Sequence, residues 1–176
     1  MKTKILSLLF IIALSFSATS CLDDDYLFDF DNMKPVIEIP GLDQNTNLSY
    51  KAGSESVSVK LYVNYSIADW RDIKEDIPVV VDIDTSYLED DEELLPASSY
   101  SPTFPLTMTI KKASDVVPDR DKLNNQSAEE TITVNLNDAN LVSGKTYVLP
   151  VKIKEVPSQY TISGNFGYKR YILVVK

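Results

Sequence analysis

Cys21 is the one thiol in a chain of 176 residues that contains no histidine. That combination narrows its chemistry. A nucleophilic cysteine needs a base to make the thiolate, and no imidazole is available to supply one. A single thiolate without histidine is a poor start for a metal site, and one cysteine cannot close an internal disulfide. Asp82 and Asp84 are the next candidates, because glycosidases work with two carboxylates about 5 to 9 Å apart, one of raised pKa. Both lie on one strand, on the side opposite Val81, with no apolar stretch to form a pocket, so a solvated strand face is expected. The acidic run from Glu89 to Glu93 groups oxygens of the kind calcium prefers, but it lacks the alternating spacing and the glycine turn of a calcium loop. Trp70, the only tryptophan, stands between Asp69 and Arg71, with Tyr65 nearby. A flat apolar ring beside hydrogen-bonding groups is what stacking against a sugar requires. Trp70 and Tyr65 are therefore the candidate glycan contacts; a core or lid position is the alternative for Trp70. No catalytic set, metal ligand set or cofactor is expected.

The segment ahead of Cys21 assigns it a different role. Lys2 and Lys4 precede "ILSLLFIIALSF" (residues 5–16), and the small residues "SATS" (17–20) follow. Basic, apolar and small regions in that order form a secretory signal. The apolar run is shorter than the roughly 20 residues a spanning helix needs. Ending directly at a cysteine, the segment resembles the lipobox of bacterial lipoproteins. That resemblance implies a diacylglycerol on the Cys21 sulfur, cleavage before Cys21 and acylation of the new amino group, although Ala18 replaces the usual leucine. A cleaved ordinary signal is the alternative. Several acyl chains hold a protein at a bilayer far more firmly than one.

Cleavage there would leave residues 21–176, or 156 residues, enough for one domain with a real core. Losing Lys2 and Lys4 takes the basic count from 17 to 15 against 26 acids, so the charge moves from −9 to −11. A surface this acidic repels nucleic acid and anionic headgroups, so nucleic acid is not an expected partner. Membrane attachment is expected through the N-terminal lipid.

Positioning falls to strands. Residues 21–34 read as an acidic tether, and 35–176 as a single domain punctuated by turn residues. In "ESVSVKLYVNY" (55–65), Val57, Val59, Leu61 and Val63 alternate with Ser56, Ser58, Lys60 and Tyr62, the period of a half-buried strand. "PVIEI" (35–39), "IPVVVDID" (77–84), "TFPLTMTIKK" (103–112), "EETITVNLN" (129–137), "KTYVLPVKIKEV" (145–156) and "GYKRYILVVK" (167–176) complete a set of about seven. Strands of this length between turn signals predict an all-β, antiparallel sandwich. Residues 66–73 and 86–95 could hold short helices and are better read as elaborated connections. Pro150 cannot donate to a ladder, which predicts an edge position or a bulge there. The polar stretch 114–130 is expected to be a long loop.

The blocks "LLPASSYSPTFPLTMTIKK", "YVLPVKIKEV" and "GYKRYILVV" resemble a domain of unknown function in Bacteroidetes surface lipoproteins. It typically precedes laminin-G-like, discoidin-like or family-eighteen glycosidase modules and recurs in polysaccharide-utilisation clusters. Leu95, Pro96, Tyr100, Ile110, Tyr147, Leu149, Pro150, Val151, Ile153 and Tyr171 carry the likeness. The resemblance implies an immunoglobulin-like sandwich in a glycan-related surface setting, with polysaccharide or uptake-complex proteins as partners, and brings no catalytic residues. This sequence departs where Lys111 and Lys112 replace a glycine, so that turn must differ, and where no appended module follows Lys176. Asp23, Asp24 and Asp25 resemble the surface-export signal of lipoproteins in this phylum, implying an outer-membrane protein facing outward; a solvated tether on a periplasm-facing protein is the alternative. In that setting the formal glycosylation triplet Asn125-Gln126-Ser127 is expected to be accidental. The expected function is a lipid-anchored accessory or binding lipoprotein for polysaccharide capture, with a structural or adhesive surface protein as the alternative.

Overall fold

Each of the seven segments read from the sequence contains one strand of two stacked sheets. The computed structural model describes residues 34–41, 43–66, 69–117 and 126–176. The signal, Cys21, Asp23, Asp24, Asp25, the tether up to Met33, and Asn125 of the glycosylation triplet lie outside the described residues. These main strands are β1 (Val36–Glu38), β3 (Ser56–Ser66), β4 (Ile77–Ile83), β7 (Leu106–Ile110), β8 (Ser127–Asn135), β9 (Thr146–Glu155) and β11 (Tyr168–Val174). Four further strands of two or three residues join them: β2 (Asn45–Asn47), β5 (Glu93–Leu94), β6 (Tyr100–Ser101) and β10 (Thr161–Ile162).

Sheet one runs β10-β1-β3-β8-β6, and sheet two runs β2-β11-β9-β4-β7 with β5 also beside β9. The main strands pair antiparallel, as their alternation predicts. β10 on β1, β2 on β11 and β5 on β9 are parallel, short additions that the sequence pattern does not announce.

Period-two alternation sends one row from each strand into the space between the sheets. Leu61, Val63, Ile132 and Val134 of sheet one face Val79, Val81, Ile110, Leu149 and Leu173 of sheet two, all fully buried. Removing each such side chain from water contributes about 1.5 to 3 kcal/mol. Tyr171 is buried with them, and its hydroxyl donates to the Lys60 carbonyl at 3.3 Å, linking β11 to β3 across the core. Burial pushes this phenol's pKa well above its ordinary value.

Pro150 departs from expectation. β9 is an interior strand, between β11 on one side and β4 and β5 on the other. Its C=O accepts from the Asp84 N–H at 3.0 Å, and a strand residue's N and C=O point to the same flank. The proline nitrogen therefore faces the gap between the end of β4 pairing at Val151 and the start of β5 pairing at Val148, where no ladder donor is needed. The bulge that β9 does carry is at Lys154, because Val80 and Val81 pair with Glu155 and Ile153.

The turn after β7, where Lys111 and Lys112 stand, is held by Asp76. Its carboxylate accepts from Lys111 Nζ at 2.7 Å and from the Lys112 N–H at 3.0 Å. Leu61→Ala should lower the unfolding free energy by about 2–5 kcal/mol, while Val57→Ala, half-buried near the start of the same strand, should cost less. Urea denaturation of both variants measures the difference, and equal costs would contradict this placement of the core.

Candidate functional site

The outward face of sheet two is not bare. Residues 147–151 of β9 are buried on both sides of the strand. Tyr147, Leu149 and Val151 point into the core; Val148 and Pro150 point away from it and lie under the segment that follows β4. This segment, 84–95, contains a 3-10 turn at Thr85–Tyr87 and then β5, with no helix over 86–95. Leu95 fixes its far end by donating to the Val148 carbonyl at 2.9 Å.

Its middle is fixed by charge. Arg170, the residue opposite Pro150 in β11, is 7% exposed. Its guanidinium donates to Glu92 at 2.5 Å, to Glu89 at 2.6 Å and to the Asn45 side-chain Oδ1 at 3.1 Å. Glu92 is buried with it, whereas Glu89 is exposed. Glu93 pairs with Lys145. The acidic run therefore spends three of its carboxylates on protein cations, and among the described residues no cluster of three or more ligands suits a metal.

Asp84 opens the segment. Its carboxylate accepts from Lys154 Nζ at 2.8 Å and from the Ser86 hydroxyl at 2.6 Å, caps the turn through the Ser86 N–H at 3.2 Å, and lies 3.5 Å from Lys152 Nζ. The Lys154 ammonium, followed by the Ser86 hydroxyl, holds this carboxyl well below the usual range. Asp82 turns its Oδ1 to the Ile83 N–H at 2.8 Å. A general acid needs a raised pKa, and Asp84 is driven the opposite way. The pair is not arranged as a glycosidase dyad.

Beyond Asp84, the ring of Tyr87 stacks on Tyr168 with centroids 4.0 Å apart and planes 12° from parallel. Lys152, opposite Tyr168 in the ladder, sets its ammonium 5.3 Å from the centre of the Tyr87 ring. These groups edge an open groove of about 440 Å³, whose other residues include Ile162 at the end of β10 and Ser163 and Gly164 just after it. Gly167 closes the floor. A Cβ there would lie 2.5 Å from the Ser163 carbonyl oxygen, so only glycine fits.

The sequence-derived aromatic candidates separate. Tyr65 is 6% exposed, with its ring edge-on to Tyr160 at 5.8 Å in the core. No face of it is open for a sugar to stack on, which removes it as a contact. Alternation along β3 would give the opposite side to Tyr65 from Asn64, but both are buried because the end of that strand is covered. Trp70 is half-buried at the start of the 3-10 turn Trp70–Asp72. Asp69 caps that turn through the Arg71 N–H at 3.0 Å and meets the Arg71 guanidinium at 2.5 Å. The guanidinium lowers the Asp69 carboxyl to about 2. Both groups are exposed, so this pair adds little stability; it fixes the turn that carries the indole.

Sequence reasoning did not single out Lys152 and Lys154 or connect them with Tyr87 and Tyr168. The signal for the pairing was absent, because Tyr87 and Tyr168 are brought together by the fold of segment 84–95 onto β11.

The fold and these contacts define an all-β sandwich whose groove is lined by aromatic and cationic side chains, with its neighbouring acids engaged in ion pairs. Residues 30–159 match the model of a family described as "-like, N-terminal domain", and the chain belongs to that family. No curated protein matches the sequence. The fold is similar to an inferred carbohydrate-binding protein from Bacteroides ovatus, at 16% identity over 80% of this chain and a TM-score of 0.55. It is also similar to the endoglycosidase EndoBT-3987 of Bacteroides thetaiotaomicron, solved with a Man5GlcNAc product, at 20% identity over 75% of this chain and a TM-score of 0.51. A two-domain Bacteroides fragilis protein of unknown function matches at 13% identity over 83% and a TM-score of 0.54. The chain spans 37, 28 and 47% of those three chains respectively.

Arg170→Ala should destabilise the protein by about 3–5 kcal/mol, because it leaves Glu92 buried without its cation. The paired change Arg170→Met with Glu92→Leu should recover much of that loss in chemical denaturation. The depressed carboxyl of Asp84 makes a separate prediction. Its stabilisation is complete above about pH 4, the ordinary aspartate value, and disappears as the pH falls toward the lower folded value. Asp84→Asn should therefore flatten the loss of stability below pH 4 in thermal melts across pH; an unchanged slope would contradict the ion pairs drawn here.

Proposed function

We propose that this chain is a non-catalytic accessory or binding lipoprotein for polysaccharide capture and utilisation, anchored by lipid on Cys21 in the outer membrane and facing outward. The observation that carries the reading is the family: an N-terminal domain whose fold recurs in Bacteroides proteins, among them an inferred carbohydrate binder and an endoglycosidase. The non-catalytic part is supported by the acids. Asp84, Glu89 and Glu92 are held by Lys154 and Arg170, which leaves none of the three free for proton transfer. Trp70, half-buried between Asp69 and Arg71, is the proposed glycan contact retained from the sequence.

The anchor and the ligand are tested separately. Cys21→Ala should release the protein from membranes and abolish incorporation of labelled palmitate; continued labelling would sink the anchor. Proteinase shaving of intact cells should degrade the wild type, and replacing Asp23, Asp24 and Asp25 with Ala should reduce that access. In affinity gel electrophoresis, a polysaccharide should retard the full chain and Trp70→Ala should weaken the retardation. If no polysaccharide retards the chain and Trp70→Ala changes stability alone, the protein is instead a structural or adhesive surface protein acting through protein contacts.

A further inference from the structure

The groove beside Tyr87 and Tyr168 is cationic in an acidic chain. The chain has 26 acidic and 17 basic residues, yet among the described residues the charged side chains lining this groove are Lys152 and Lys154, both positive. Each of these lysines is 37% exposed in its side chain, and both are anchored from behind by the same carboxylate, Asp84, which is 17% exposed. One carboxylate cannot satisfy two ammonium groups with three donors each. Lys154 uses one N–H on Asp84 at 2.8 Å, and Lys152 lies 3.5 Å from it. Lys152 also bonds to Tyr87, and both ammonium groups, 37% exposed in their side chains, keep a donor toward the groove for a ligand.

The other groups define what sort of ligand. Tyr87 and Tyr168 offer a rigid stacked pair at 4.0 Å, an apolar edge with two hydroxyls, next to the ammonium of Lys152. Gly164 leaves the opposite wall low, since a Cβ added there would meet nothing within 4 Å. An aromatic edge suits the apolar face of a sugar ring, and two anchored ammonium groups suit a carboxylate or sulfate on that ring. We propose that this groove binds an anionic sugar residue, its acid group held by Lys152 and Lys154 and its ring against Tyr87 and Tyr168. This rests on the glycan-binding reading above and adds the substrate class and the site. Asp84 orients the lysines and touches no ligand.

The test uses the purified full chain in affinity gels containing polygalacturonate, chondroitin sulfate or neutral yeast mannan, run at low and high salt. Polygalacturonate and chondroitin sulfate separate carboxylate from sulfate as the recognised group. Retardation by at least one of them, weakened by salt, is expected. Lys152→Gln and Lys154→Gln should each weaken it by about tenfold, the value of losing one charge-assisted hydrogen bond. Gly164→Phe fills the groove from an open position and should abolish retardation while leaving the melting temperature near that of the wild type. It keeps the test sound if a lysine variant loosens segment 84–95. Retardation by mannan alone overturns the anionic specificity and leaves the glycan reading standing. Retardation by acidic polymers that survives Gly164→Phe overturns the site. No retardation by any of the three polymers overturns the inference and counts against the glycan reading as well.

Discussion

Arg170 lies on the outward face of β11, and Glu92 and Glu89 close over it from the segment between β4 and β6. Everything this protein presents on that side follows from the clamp. It lays residues 84–95 across Val148 and Pro150, which are thereby buried on a face that a simple sandwich leaves wet. It also brings Tyr87 down onto Tyr168. The clamp adds little net stability. Desolvating two charges costs several kcal/mol per ion, and the attraction roughly repays it. The Arg170 Nε–H is also buried without a protein partner, an added cost of about 1–3 kcal/mol. What the pair supplies is position: an arginine fork accepts two carboxylates in few geometries, so the segment has few places to sit.

The core beneath sets the limits within which the clamp works. Leu61, Ile132, Leu149 and Leu173 fix the two sheets against each other, and the Tyr171 hydroxyl bonded to the Lys60 carbonyl ties them directly. On that frame, Lys152 and Lys154 share one face because they are two apart on β9, despite the bulge at Lys154 that shifts the register against β4. Asp84 then meets both lysines because it lies just beyond the end of β4, its N–H on the Pro150 carbonyl, within reach of both ammonium groups. The groove is thus a product of strand period, one bulge and one covering segment, with each part resting on a different kind of interaction.

The seven main strands were legible in the sequence, because alternation of apolar and polar residues is a local property that survives without knowledge of partners. The row Val57 to Val63 was read correctly for the same reason. Pro150 was misread because a missing donor matters only where a neighbour expects one, and which neighbours β9 has is decided by topology. Tyr65 was read as a glycan contact because it stands near Trp70 in the sequence, but the structure buries its ring against Tyr160, 95 residues later. The strands β2, β5, β6 and β10 carry two or three residues each, too few for a period to show; β1, also of three, was found because it lies in the longer apolar run 35–39.

The sequence by itself determined the class of fold, the row of each main strand that faces inward, and an acidic balance unsuited to nucleic acid. These depend on residue type and spacing alone. The tertiary structure decided which charges neutralise one another and which aromatic rings meet. The acids of 89–93 read as a solvated or metal-seeking run until Arg170, about 80 positions away, appeared beneath them. Tyr87 and Tyr168 stack for the same reason. Contacts between residues so far apart are paid for by the packing of the whole domain, and no local pattern encodes them.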